Sequence, residues 1–466
     1  MSQYGQQVMS RTAPLGSPRG LYGTMLFLLC AFPYISVVAT PFDTQPYALI
    51  SALLALLLLF ASREQVLVPK YLLPFGFILI YSMFVWLIDP DPRSGLRSLV
   101  GYVSVFVISV AAFLTFRDVR GRHLVFAVRA WLVFGIVQLV IDKHFGSFFL
   151  ARLSTSNTRG ITSLAVEPSF YAVVCIYFLI LNDIFLAIKS YSTRTYRSVF
   201  VMVVLQIFLA RSGLGIILFF AYLAAKFLSE SNATRVFRGV AILASSLAVF
   251  VVAFKFIPSL QETRVGGQLD AALRDPLLLL LSDTSIADRL SHVLVSHSAL
   301  FHGHLLGCGL GNWEQYATDL AQSTGGLAYQ LSTVNMSIRG RIMSGWGTVL
   351  FELGIVGFVF LAAFAYIMYR GWKSVDGSLK RVYFSSSITI YLVMLMAVPI
   401  SFPLFGYLIG VFVYLQLRER NTVSVDSETW GAARFPARVH RLATLTSQPR
   451  DEAGLVRVGL DCARRT

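Results

Sequence analysis

A bilayer core about 30 Å thick takes roughly 20 consecutive apolar residues to cross as a helix, and stretches of that kind recur through this sequence as far as residue 417. Six fall in the first part of the chain, at Leu21–Thr40, Pro46–Ala61, Tyr71–Ile88, Ser98–Phe116, Leu124–Ile141 and Ser163–Ile188. Six more follow at Ser198–Ala210, Leu214–Ala225, Gly239–Ile257, Ser344–Tyr369, Val382–Val398 and Pro403–Leu417. Only 14% of the residues are charged, where an ordinary soluble domain carries about a quarter, so a soluble enzyme is excluded. Backbone N–H and C=O groups in lipid must be satisfied within the segment. The expected fold class is therefore an all-α polytopic integral membrane protein with about 12 transmembrane helices. The two short runs on either side of Arg211-Ser212-Gly213 are read as two short helices or one broken one, which would lower the count to eleven.

Orientation follows from where Lys and Arg gather, because cytoplasmic loops carry the excess. With the N-terminus in the cytoplasm, the inner loops hold Arg63 and Lys70; Arg117, Arg120 and Arg122; Lys189, Arg194 and Arg197; Lys226, Arg235 and Arg238; and Arg370, Lys373, Lys380 and Arg381. Nine further Arg lie in the C-terminal tail, so most of the 39 basic residues are inside and both termini are expected to be cytoplasmic. Topology thus accounts for the net charge of +15, and no nucleic-acid partner is implied. The expected organisation is a cytoplasmic tail over 1–20, spans one to nine over 21–257, a large outer loop over 258–343, spans ten to twelve over 344–417 and a disordered basic cytoplasmic tail over 418–466. Within the loop, Pro276 to Leu281 is too short to span and reads as a helix lying at the membrane surface or against the bundle.

Positive charge on the translocated side runs against that bias and calls for a reason. Besides Arg93 and Arg97, the outer set is Lys143, Arg152, Arg159, Arg211, Lys255, Arg264, Arg274, Arg289, Arg339 and Arg341. Arg presents a planar fork of donors that suits phosphate oxygens. Snorkelling and loop solubility explain part of the set, and Arg159, Arg211 and Arg289 are singled out as functional. Arg211 sits at a break that Gly213 and Gly215 allow, next to a helix N-terminus with free N–H groups. Glu167 lies at the outer boundary of the sixth span, with Pro168 suited to the first helical turn. It is read as a base for, or ligand to, sugar hydroxyls, or else as a carboxylate stabilised by the helix dipole. The loop brings His292, His297, His302 and His304 close in sequence, with spacings that match no zinc pattern. Gly307-Cys308-Gly309-Leu310-Gly311-Asn312 then forms a turn whose N–H groups could approach a phosphate or a sugar.

Four of these stretches in order resemble the bacterial O-antigen polymerase and O-antigen ligase superfamily, membrane glycosyltransferases of the GT-C type. They are Glu167-Pro168-Ser169, Ala210-Arg211-Ser212-Gly213, Arg289 followed by Gly307-x-Gly309-x-Gly311-Asn312, and Phe351-Glu352-Leu353-Gly354-Ile355-Val356-Gly357. Ligases of the superfamily carry a His before a polar residue, nine further residues and Gly-x-x-Gly. Here Ser344, Gly354 and Gly357 hold their places and Met343 stands where the His would be. The resemblance therefore leans to a polysaccharide polymerase.

What it implies is the joining of undecaprenyl-pyrophosphate-linked oligosaccharide repeat units on the periplasmic face of a bacterial inner membrane, for O-antigen or exopolysaccharide. Arg211 and Arg289 would neutralise the pyrophosphate with Arg159 as a further contact, and Glu167 would take the acceptor proton or hold the sugar. Gly309, Gly311, Asn312, His297, His302 and Glu352 complete the expected substrate-binding set. The resemblance implies no metal and no cofactor, and implies membrane lipids and a polysaccharide chain-length regulator as partners. The alternatives are a ligase or O-oligosaccharyltransferase, and a flippase for a lipid-linked saccharide.

Overall fold

The computed structural model describes residues 18–36, 44–62, 68–89, 92–142, 145, 160–230, 232–256, 264–275, 283–335 and 342–433. Among them there is helix and no β-strand. The chain divides into two compact units, 1–420 and 421–466.

The helices are α1 (Pro18–Ala31), α2 (Tyr47–Ala61), α3 (Leu73–Ile88), α4 (Pro92–Thr115), α5 (Gly121–Val140), α6 (Pro168–Ala187), α7 (Thr193–Ala210), α8 (Gly213–Leu228) and α9 (Ala233–Phe256). In the segment 258–343 lie α10 (Arg264–Arg274), α11 (Thr284–Ser298), α12 (Trp313–Thr324) and α13 (Gly326–Asn335). The chain closes with α14 (Gly345–Leu353), α15 (Gly357–Ser374), α16 (Gly377–Met396) and α17 (Pro403–Ala433). Five helical stretches among the described residues are long and apolar enough to cross a membrane: Gly95–Asp118, Gly121–Val140, Pro168–Ala187, Thr193–Ala210 and Gly345–Ser374. Four shorter apolar helices accompany them, so the fold is that of an all-α membrane protein.

Every apolar run holds a helix, with shifted ends. The first stops at Ala31, short of the expected Thr40, because Pro33 follows and cannot continue a helix. The run from Ser344 is two helices, α14 and α15, joined by a 3-10 turn over Gly354–Val356. The last helix continues past residue 417 to Ala433, and the remaining tail lies outside the described residues, as does the expected surface helix at Pro276 to Leu281.

α6 is the axis of the bundle. It touches α5, α7, α8 and α16, and Pro168 through Phe185 are all buried, as expected of a helix apolar all round. Its one carboxylate in that run, Asp183, is paired: Lys226 Nζ lies 2.5 Å from Oδ1, and the Tyr196 and Tyr222 hydroxyls donate to it at 3.0 and 2.6 Å. A buried charge needs such partners, and these bind α6 to α7 and α8. In the segment 258–343 α11 is the central element, in contact with α12 and α13 and with α14 and α16 of the bundle.

Candidate functional site

The backbone just before α6 is set by one buried amide. Gln138 of α5 donates from Nε2 to the Ser163 and Phe145 carbonyls at 2.9 and 3.0 Å, and its Oε1 accepts from the Ser163 N–H at 2.6 Å. Ser163 holds φ +50°, a left-handed conformation costly for a residue with a Cβ. Its hydroxyl, donating to the Trp131 carbonyl at 2.6 Å, adds to the bonds that hold it there. Ile161 N–H meets the Leu209 carbonyl at 3.3 Å, so the same segment is tied to the end of α7. The chain then enters α6 with Glu167 as N-cap and Pro168 in the first turn.

Onto this entrance comes Arg289 of α11, from the segment 258–343, only 7% exposed. Its Nη2 donates to Ser169 Oγ at 2.9 Å, and Ser169 Oγ donates in turn to Glu167 Oε2 at 3.2 Å. A hydroxyl has one proton to give and two lone pairs to accept with, so Ser169 couples a buried cation to a partly exposed carboxylate. The other fork of the guanidinium is steadied by Ser285 Oγ, 3.0 Å from Nη1. Ser285 is placed by the helix cap: Asp283 Oδ1 accepts from the Ser285 and Ile286 N–H groups at 3.0 Å each, while Gln268 Nε2 of α10 donates to Asp283 Oδ2 at 2.6 Å.

Gln268 also connects this corner to the start of α8, two residues after Arg211. A Cβ on Gly213 would come within 2.6 Å of Gln268 Oε1, so α8 begins in close contact with the side-chain end of Gln268 on α10. Arg211 itself caps α7 at φ +44° and is exposed, and the following helix starts on Ser212, whose Oγ accepts from Gly215 N–H at 3.3 Å. The two short apolar runs are thus separate helices. Arg159 lies outside the described residues.

The glycine turn and Glu352 form a second group. Glu352 of α14 is 3% exposed and accepts from Ser98 Oγ at 2.5 Å, Tyr102 OH at 2.9 Å and the Gly311 N–H at 3.1 Å. Asn312 Nδ2 donates to Asp89 Oδ2 and to the Cys308 carbonyl, both at 3.0 Å. Gly309 lies against the same Asp89 oxygen and Asn312 amide. Gly311 therefore spends its N–H on Glu352, and the turn fastens the segment 258–343 to α14 and, through Asp89, to the end of α3. Burial, with Glu352 beside it, pushes the Cys308 thiol up to about 12, far from the range of a nucleophilic thiolate.

The histidines bond within their own segment. His297 Nδ1 lies 2.7 Å from the Val293 carbonyl, and burial lowers its pKa. His302, exposed, has Nδ1 2.9 Å from the Ser298 carbonyl, and His304 packs edge-on against Tyr316. His292 accepts the Met343 N–H at 2.9 Å and packs edge-on against Trp313. No group of three or more His, Cys, Asp or Glu among the described residues is placed to hold a metal ion.

The structure therefore joins Glu167 with Arg289 and gathers Glu352, Gly309, Gly311 and Asn312 in another place, with His297 and His302 farther along α11 and just beyond it. Sequence reasoning quoted Ser169 without giving it a role and passed over Ser98, Tyr102 and Asp89. Asp183 carried a legible signal, an acid inside an apolar run. The class the fold defines is an all-α membrane protein. No family model and no curated protein matches the chain.

Proposed function

We propose that this protein is a polysaccharide polymerase that transfers a growing glycan from undecaprenyl pyrophosphate to a hydroxyl of a second lipid-linked repeat unit. It would do so at the periplasmic face of a bacterial inner membrane, in a bundle of twelve crossings with both termini cytoplasmic. The observation that carries this reading is the Arg289–Ser169–Glu167 chain at the mouth of the central helix. Pyrophosphate is a good leaving group and needs charge neutralisation more than protonation, which a preorganised guanidinium supplies. The acceptor oxygen forms the new bond to the anomeric carbon, the bond to the pyrophosphate oxygen breaks, and Glu167 takes the acceptor proton. Arg289 holds the departing phosphate charge, and Arg211, exposed at the neighbouring corner, reaches the same anion. The order of the motifs around one long outer segment, similar to that of the O-antigen polymerase superfamily, supports the same reading.

The test incubates the purified protein in detergent with the lipid-linked repeat unit alone and resolves products by size. A ladder spaced by one repeat is expected. Intact protein that binds the lipid and yields no ladder, but transfers glycan once to an added acceptor, would overturn polymerisation in favour of a ligase.

A further inference from the structure

Between α15 and α16 an apolar groove of about 800 Å³ opens to the side of the bundle. Its floor is Phe364, Met368 and Tyr383, each at most 5% exposed, and its rim is Phe358, Trp372 and Tyr391, between 38% and 48% exposed. From Phe358 to Trp372 it follows α15 for about 21 Å at the helical rise, so it is elongated along an apolar helix, as an extended hydrocarbon chain would need. One end is charged. Trp372, on the rim, carries Lys380 Nζ 4.8 Å from its ring centroid, and Lys373, exposed, is the next residue along α15. Arg370 and Arg381 lie at the same connection. Arg381 is engaged by Glu230, and Asp376 is the one acid in the connection itself. An aromatic at the edge of an apolar groove with two lysines beside it is the arrangement that seats a headgroup phosphate over buried chains.

We infer that this groove is a binding site for an anionic bilayer phospholipid, its chains along α15 and α16 and its phosphate between Lys373 and Lys380. The lipid would cover the rim aromatics and brace α15, the helix that continues from the break beyond Glu352. The inference is independent of the glycosyl-transfer reading, since it rests on the groove and its charged end alone.

The full chain is reconstituted in phosphatidylcholine vesicles containing a small fraction of phosphatidylglycerol brominated at mid-chain. Quenching of Trp372 is taken as the difference between the native protein and Trp372→Phe. Brominated phosphatidylglycerol is expected to quench about fivefold or more better than brominated phosphatidylcholine at equal mole fraction. The surface pair Lys373→Glu and Lys380→Glu should bring the two lipids to equality, and Ala365→Phe, which fills the groove, should reduce quenching by both. Equal quenching of the native protein by the two lipids overturns the proposal. Displacement of the brominated phosphatidylglycerol by an equimolar amount of undecaprenyl phosphate also overturns it, and assigns the groove to a polyprenyl chain.

Discussion

Ser169 gives the site its sharpest test at the scale of a residue, because its hydroxyl bridges Arg289 to Glu167. Ser169→Ala leaves both charges in place and removes the bridge. A buried guanidinium losing an acceptor costs about 1–3 kcal/mol, so a lower midpoint in thermal unfolding is expected together with roughly a tenfold to hundredfold slower glycosyl transfer. Ser169→Thr, which keeps the hydroxyl, should restore most of the rate. Unchanged transfer in Ser169→Ala would detach the bridge from the chemistry. Lys226→Met tests the half-buried pair of the bundle: it leaves Asp183, 7% exposed, with its tyrosine donors but without its cation, and about 1–3 kcal/mol of stability should be lost. Glu167 was legible in the sequence because a carboxylate at a span boundary is costly, and Arg289 because a cation on that side runs against topology. That the two meet was not legible. They are separated by more than a hundred residues, and the hydroxyl between them is a residue type that membrane helices carry for many reasons.

At the scale of elements, the break between α14 and α15 depends on two glycines. Gly354 holds φ +58° against the Leu305 carbonyl and the Gly307 N–H, and Gly307 holds φ +92° against the Glu352 carbonyl. A Cβ at Gly354 would meet backbone that cannot rotate away, so Gly354→Ala is expected to cost about 1–3 kcal/mol and to loosen the segment 258–343, read as its faster proteolysis. This break was not read from the sequence, although Glu352, Gly354 and Gly357 interrupt the run from Ser344 to Tyr369; the backbone of 305–307 folding back on Gly354 shows why it must bend. The break at Arg211 was readable, because a charge and two glycines interrupt the run. On α11, burial lowers the His297 pKa below its ordinary 6.5. The unfolded chain then takes the proton first as pH falls through 6.5, so the stability His297 contributes is present above that pH and is lost on acidification toward its folded pKa. Unfolding midpoints measured between pH 8 and pH 5 should therefore fall in the native protein, and fall less in His297→Gln.

For the whole molecule, the hydropathy pattern was enough to name an all-α membrane protein, because lipid leaves the backbone few choices. It was not enough to show which helices seat the segment 258–343: α11 docks on α14 and α16, with Ser296 against Gly347 and Val295 in one apolar cluster with Phe351, pairings between residues far apart in the chain. The basic loops predict a single orientation, checked by attaching a periplasmic reporter enzyme after residue 335 and a cytoplasmic fluorescent reporter at the C-terminus. Both should be active, and a silent periplasmic reporter would invert the orientation. The central claim is that the Arg289–Ser169–Glu167 chain performs glycosyl transfer, and the most direct measurement is the ladder assay run on purified Arg289→Ala and Glu167→Gln beside the native protein. The account predicts that both variants remain folded by size exclusion while the ladder falls by about a hundredfold or more. Ladders of native length and yield from both variants would contradict it.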